Sequence, residues 1–198
     1  GEADPASLCS YCGVTEGVLR ALVKKGAAVI YQKPAEAPQE DGTPLPPAEP
    51  PAFSLSPKQE QAYRGILALQ AENEANCALL YGVTGSGKTQ IYIKLIEQTL
   101  SAGKTAMLLV PEIALTPQLS ARFTSLFGAQ TAVIHSGLSQ ADRLAAFERV
   151  KSGRARIVIG TRSAVFSPLS RIGLIILDEE GEPSYKSDAA PRYHARDV

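Results

Sequence analysis

The alternation of apolar and polar positions separates this chain into three stretches. Over Thr15–Lys24, Val18, Leu19, Leu22 and Val23 recur at helical spacing behind Thr15 as a cap, and Lys24-Lys25-Gly26 stops the helix. Ala27–Tyr31 then reads as a strand. From Pro34 to Pro51, seven of the 14 prolines fall among few apolar residues, the composition of an extended, semi-rigid linker. The boundaries expected are therefore a small unit at 1–33, a tether at 34–52 and a large domain at 53–198. The large domain opens with Ser56-Pro57, a cap and a first-turn proline for a helix to about Gln70. Cys77–Tyr81 reads as a buried strand and Ile91–Glu97 as a helix. Strands follow at Thr105–Val110, Thr131–Ile134, Arg156–Ile159 and Ile172–Leu177. Helices are expected between them, at Gln118–Leu126 and Gln140–Lys151. The last strand is nearly all aliphatic, which predicts a central strand buried on both faces. Strand and helix in alternation give an α/β fold with a doubly wound parallel sheet.

Ligands of such sheets sit beyond the strand C-termini. Four polar loops fall at such ends: Gly82–Thr89, Pro111–Gln118, Gly160–Ala164 and Asp178–Gly181. The first fits the phosphate-loop pattern G-x-x-x-x-G-K-[ST] through Gly82, Gly87, Lys88 and Thr89. Glycines let the backbone approach a ligand closely, and the loop amides and helix N-terminus face phosphates. Lys88 brings a charge to the β- and γ-phosphates, and Thr89 a hydroxyl to Mg²⁺. Asp178 closes an aliphatic strand, where it could hold Mg²⁺, and Glu179 stands where a base could orient the attacking water. A lone Asp-Glu-Glu is usually a solvated turn. Behind six aliphatics and a phosphate loop it argues for nucleoside triphosphate binding or hydrolysis.

Charge and cysteines change this picture little. Twenty basic and twenty acidic residues cancel, which gives no global signature of a nucleic-acid binder, although one groove can still be basic. No apolar run approaches the ~20 residues of a membrane span. The N-terminus, Gly1-Glu2-Ala3-Asp4-Pro5, is not a secretory signal. Cys9-x-x-Cys12 has metal-knuckle spacing without a second pair, so two small apolar side chains are expected there rather than zinc. An odd cysteine count suits a reducing cytoplasm.

Gly82-Val-Thr-Gly-Ser-Gly-Lys-Thr89, Pro111-Glu-Ile-Ala-Leu-Thr-Pro-Gln118, His135-Ser-Gly137, Gly160-Thr-Arg-Ser-Ala164, Asp178-Glu-Glu180, Ser184-Tyr-Lys186 and Pro191-Arg-Tyr-His-Ala-Arg-Asp-Val198 together resemble the first motor domain of the PriA family. These are replication-restart DNA helicases of superfamily two. The resemblance spans about residues 54–198. Residues 6–33 more weakly resemble the last helix and wing of a winged-helix domain, though a piece of any small α/β unit fits as well.

The resemblance implies a RecA-like P-loop fold and an ATP- and Mg²⁺-dependent helicase that moves 3′→5′ on single-stranded DNA and reloads the replication machinery at stalled forks. By family motif, Gln59 would read adenine, while Gly82, Thr84, Gly85, Ser86, Gly87, Lys88 and Thr89 would hold the nucleotide. Lys88, Asp178 and Glu179 would be catalytic, with Thr89 and Asp178 on the metal. Pro111, Thr116, Gln118, Thr161, Arg162 and Ser163 would line the DNA track, where hydroxyls and one Arg suit phosphates rather than bases. The implied partners are single-stranded or forked DNA, primosome proteins and single-strand-binding protein, with no membrane. The implied compartment is the bacterial cytoplasm near the nucleoid.

Gly181 stands where the family has a His that helps couple nucleotide to DNA, so weakened coupling is expected. The motif series stops at Val198, before the Ser-Ala-Thr motif, the second motor domain with its arginine finger and the zinc-binding insertion. The N-terminal DNA-end-binding domain is missing as well. A fragment is therefore expected, with weak nucleotide binding and negligible hydrolysis or unwinding alone. Three rivals stand beside this reading, the first close in mechanism and the second from a different class. A UvrB-like repair ATPase would need an aromatic hairpin after the loop helix. A nucleotide-gated binding module would not turn over. A small-molecule kinase would need a lid and an acceptor pocket.

Overall fold

The computed structural model describes residues 16–27, 54–72, 74–83, 85–188, 190 and 192–198. The chain divides into two compact units, Gly1–Pro44 and Leu45–Val198. In the first, helix α1 spans Glu16–Lys24, and Val18 and Leu22, one turn apart on it, are exposed. The expected strand beyond Ala27, the pair Cys9 and Cys12, and the proline-rich tether all lie outside the described residues.

In the second unit the first helix, α2, runs Pro57–Gln70. Its start is a complete capping box: the Ser56 hydroxyl accepts from Gln59 N, and Gln59 Oε1 accepts from Ser56 N. Helix α3, Lys88–Ser101, follows the phosphate loop, and Ala102–Lys104 carry the chain into strand β1, Thr105–Leu109. That short connection leaves no room for an aromatic hairpin and removes the UvrB-like reading. Helix α4 is Pro117–Phe127, capped by Thr116, and strand β2 is Thr131–Ile134. Helix α5 is Gln140–Lys151, strand β3 is Ile157–Gly160 and strand β4 is Ile172–Leu177.

The four strands form one parallel sheet in the order β2-β3-β1-β4. Helices cover both of its faces, so the sheet is doubly wound. On one face Tyr92, Ile93 and Ile96 of α3 and Phe123 of α4 pack on Ala106, Leu108, Ile157, Ile159 and Ile176. On the other, Ala146 and Val150 of α5, with Tyr185 and Ala195, cover Met107, Leu109, Ala132, Ile134 and Val158. Fully burying a side chain of this size stabilises by about 1.5–3 kcal/mol. Strand directions and order carry Pro111, Thr161 and Asp178 to one rim. Strand crossing is close there: a Cβ on Gly160 would stand 2.1 Å from the Ile134 carbonyl oxygen.

Two expectations are corrected. Cys77–Tyr81 is not a strand. It has no ladder partner, and Leu79 and Tyr81 are 76% and 93% exposed. An apolar run becomes a strand only when a neighbour pairs with its amides and carbonyls, and no strand among the described residues pairs with this one. Among the described residues nothing pairs on the outer side of β4, so it is an edge strand rather than a central one, with Ile172 and Ile175 44% and 50% exposed.

Candidate active site

The phosphate loop and the acidic strand end meet. Val83, Gly85, Gly87, Lys88, Thr89 and Gln90 line a cavity of about 300 Å³ together with Asp178 and Glu179. Thr84 lies outside the described residues. Gly87 caps α3 at φ 84°, in the left-handed region, and a Cβ there would sit 2.2 Å from Gln59 Nε2. Only glycine both takes that φ cheaply and leaves this space.

Lys88 is turned back onto its own loop. Its ammonium donates to the Gly82 carbonyl at 2.7 Å and the Val83 carbonyl at 3.3 Å. A triphosphate would give it stronger acceptors. Ser86 and Gly82 stay beside the loop without lining the cavity: a Cβ on Gly82 would meet Ser86 Oγ at 2.8 Å. Gln59 braces the loop, since its Nε2 donates to the Ser86 carbonyl at 3.0 Å while its Oε1 serves the helix cap. Both ends of its amide are engaged, so reading adenine would require exchanging these bonds.

The acidic wall is tied to the core. Asp178 N continues the β4 ladder to the Leu109 carbonyl at 2.9 Å. The buried Tyr185 hydroxyl lies 2.6 Å from the Asp178 carbonyl and 3.0 Å from that of Leu109, so its proton is shared between them. The Tyr92 hydroxyl donates to Asp178 Oδ1 at 2.9 Å, and Glu179 N lies 3.2 Å from the same oxygen. Burial first, then the Asp178 carboxylate, pushes both tyrosine hydroxyls well above their ordinary value of 10.0. Each therefore remains a donor at neutral pH. Glu179 takes φ 50°, the left-handed region that a non-glycine residue adopts only under constraint.

A magnesium ion fits the donor set, because Asp178 and Thr89 present a carboxylate and a hydroxyl to one cavity. Among the described residues no cluster of three metal-ligating side chains exists. Mg²⁺ needs none, as it is commonly held by one or two carboxylates with substrate phosphates and water.

The residues expected along a DNA track divide by exposure. Pro111 and Thr161 are buried and shape the rim from beneath. Gln118 and Ser163 are exposed, and the Thr116 hydroxyl is engaged by Leu119 N at 3.2 Å. Arg162 is half-buried, donates to the carbonyls of Ser184 and Lys186, and lies 5.8 Å from the Tyr193 ring centre. Gly181 is exposed and a Cβ there meets nothing within 4 Å.

Three contributors were not found from the sequence. Tyr92 could have been, since it follows Thr89 by three residues on α3 and so shares its helix face. Tyr185 stands in Ser184-Tyr-Lys186, one of the runs that carry the family resemblance, but nothing local gives its role, and Arg122 gave no local signal. Arg122 lines the cavity from α4 and makes no side-chain hydrogen bond or ion pair among the described residues.

Comparison with known proteins agrees with this geometry. The family described as DEAD/DEAH box helicase matches residues 56–194. The chain is 41% identical over 194 residues to the replication restart protein PriA of Bacillus subtilis, covering 98% of this chain and 24% of that protein. It is 53% identical over 146 residues to the PriA of Haemophilus influenzae, covering 74% of this chain and 20% of that protein. The chain thus spans about a quarter of the length of these curated relatives. A solved structure of RecG bound to a three-way DNA junction superposes with a TM-score of 0.53 at 19% identity, over 63% of this chain and 21% of that one. That likeness concerns the fold, which is RecA-like α/β.

Proposed function

Because the chain belongs to the DEAD/DEAH box helicase family, we propose that it is the nucleotide-binding part of an ATP-dependent 3′→5′ DNA helicase that acts in replication restart. On this reading residues 1–33 are part of a winged-helix-like unit, 34–52 a linker and 53–198 the first motor domain. The observation that carries the reading is the single cavity lined by Lys88, Thr89, Asp178 and Glu179.

Loop amides and Lys88 bind the phosphates, with the ammonium leaving the Gly82 carbonyl for a phosphate oxygen. Thr89 and Asp178 are the residues that would hold Mg²⁺, which neutralises charge on the phosphates when bound. Glu179 at the mouth accepts a proton from water and orients it. Arg122 faces the same space as a second cation. Gln118, Ser163 and the exposed loop backbone would meet DNA phosphates along the rim, and Arg162 would fix the rim's shape. Single-stranded or forked DNA, primosome proteins and single-strand-binding protein are the partners this reading implies, in the bacterial cytoplasm. No helix among the described residues is long and apolar enough to cross a membrane.

A second reading, a nucleotide-gated DNA-binding module without turnover, is favoured by Gly181, which leaves the space beside the acidic turn empty. Equilibrium binding of a fluorescent ATP analogue, followed by ATP hydrolysis with and without single-stranded DNA, separates the readings. DNA-stimulated hydrolysis supports the motor. Binding without hydrolysis supports the module only when the chain is assayed with the second motor domain that its longer relatives' length allows for, since this piece alone is expected to turn over negligibly. Equal binding by the wild type and Lys88→Ala overturns both.

A further inference from the structure

Asp178 has two carboxylate oxygens with unequal surroundings. Oδ1 accepts from the Tyr92 hydroxyl at 2.9 Å and lies 3.2 Å from its neighbour's amide, Glu179 N. Oδ2 makes no hydrogen bond or ion pair among the described residues, and the side chain borders the cavity. The donor on Oδ1 comes from α3, the helix that carries Lys88 and Thr89 in its first turn. Tyr92 is only 6% exposed and belongs to the same buried cluster as Ile93, Ile96 and Ile176. The phosphate-loop helix therefore delivers, from neighbouring turns of one face, a hydroxyl for the metal and a hydroxyl for the carboxylate that would bind it.

We propose that Tyr92 is a positioning residue for the metal site: by occupying Oδ1 it turns Oδ2 of Asp178 toward the divalent cation that accompanies the nucleotide. This rests on the nucleotide-site reading above. The physical reason is that a ligating carboxylate free to rotate has to be ordered when the ion arrives, whereas one clamped by a buried donor is ordered in advance. Hydrogen-bond partners of metal ligands act in this way, and removing one commonly weakens metal affinity about 10–100-fold. The ring of Tyr92 has a second task in the core, which Phe would keep. Tyr92→Phe therefore isolates the hydroxyl.

The test is an equilibrium titration on the 198-residue chain. The chain is mixed with mant-ATP and Mg²⁺ is added, with a parallel series in EDTA and a check of Mn²⁺ binding by electron paramagnetic resonance. For Tyr92→Phe the Mg²⁺ concentration at half-saturation is expected to rise about tenfold. Its affinity for mant-ATP in EDTA should match the wild type, and its melting temperature without nucleotide should fall by no more than the few degrees that one lost hydrogen bond accounts for. In the double variant with Asp178→Asn, Tyr92→Phe should add nothing, because its effect passes through Asp178.

An unchanged Mg²⁺ requirement in Tyr92→Phe, with Asp178→Asn impaired, overturns this inference and leaves the nucleotide site standing. An equal loss in EDTA, an additive double variant, or a chain that is unfolded before nucleotide is added assigns the hydroxyl to the fold and overturns it too. If the wild type binds mant-ATP no better than Lys88→Ala, the nucleotide-site reading falls, and this inference with it.

Discussion

The phosphate loop and the acidic strand end face one cavity, but they are held in different ways. The loop is satisfied locally: Lys88 bonds the carbonyls of Gly82 and Val83, and the long-range tie is from Gln59 to Ser86. Its surroundings are open, with Val83 75% exposed. Asp178 is held from three places, two of them distant in sequence: Leu109 of β1 and Tyr92 of α3, with Tyr185 seven residues on, beyond the acidic turn. The difference suits their tasks. A loop that wraps a ligand must exchange its internal bonds for phosphate oxygens. A carboxylate that fixes a metal gains from being ordered beforehand.

The largest effect expected falls on the acidic wall. Tyr185→Ala should cost about 3–5 kcal/mol, as removal of a buried aromatic does. Tyr185→Phe should cost about 1–3 kcal/mol, since two carbonyls lose their shared donor. Chemical denaturation reads both, and a loss under 1 kcal/mol for the Ala variant would dissolve the contrast between the walls. On the loop wall the order is reversed. Lys88→Ala should lower nucleotide affinity about 10–100-fold, the worth of a charged hydrogen bond of about 1.5–3 kcal/mol. Its unfolding free energy should stay within about 0.5 kcal/mol of the wild type.

Gly87→Ala lies between these cases. A methyl at φ 84° facing Gln59 Nε2 should cost about 1–2 kcal/mol, read by melting, and should weaken nucleotide binding through the displaced loop. Alkaline pH probes the acidic wall again. Tyr92 and Tyr185 keep their protons in the fold above the ordinary 10.0, while the unfolded chain releases them there. Stability should be level below pH 10 and fall as pH rises beyond it, because the unfolded state then binds fewer protons. Tyr92→Phe should flatten that fall. The smallest stability change is expected for Gly181→His, within about 0.5 kcal/mol, since nothing stands near the added side chain. If the empty position limits coupling, DNA-stimulated hydrolysis by the protein carrying this change should rise.

Much of the fold was legible because it is written in short-range chemistry. Ser56 and Gln59 form a capping box three residues apart, and α2 begins where they place it. Ile157–Gly160 and Thr131–Ile134 are short aliphatic runs between turn signals, and they became strands within a residue of expectation. Cys77–Tyr81 looks the same by composition and failed, because a strand also needs a partner on its edge. Ile172–Leu177 became a strand but at the border, since strand order is not encoded in strand composition. At the site, Lys88, Thr89 and Asp178 were legible from motif context. Arg122 was not, because its approach to the cavity depends on how α4 packs on the sheet face it shares with α3.

By itself the sequence determined the α/β alternation, the helix caps and the phosphate-binding chemistry of Gly82–Thr89, all set by interactions within a few residues. Only the tertiary structure decided that β4 ends the sheet, that Pro111 and Thr161 are buried, and that Tyr92 and Tyr185 close on Asp178. Contacts of that second kind join residues as far apart as Tyr92 and Asp178. Such pairs meet only after strand pairing and helix packing have chosen one arrangement among several that the same local pattern allows.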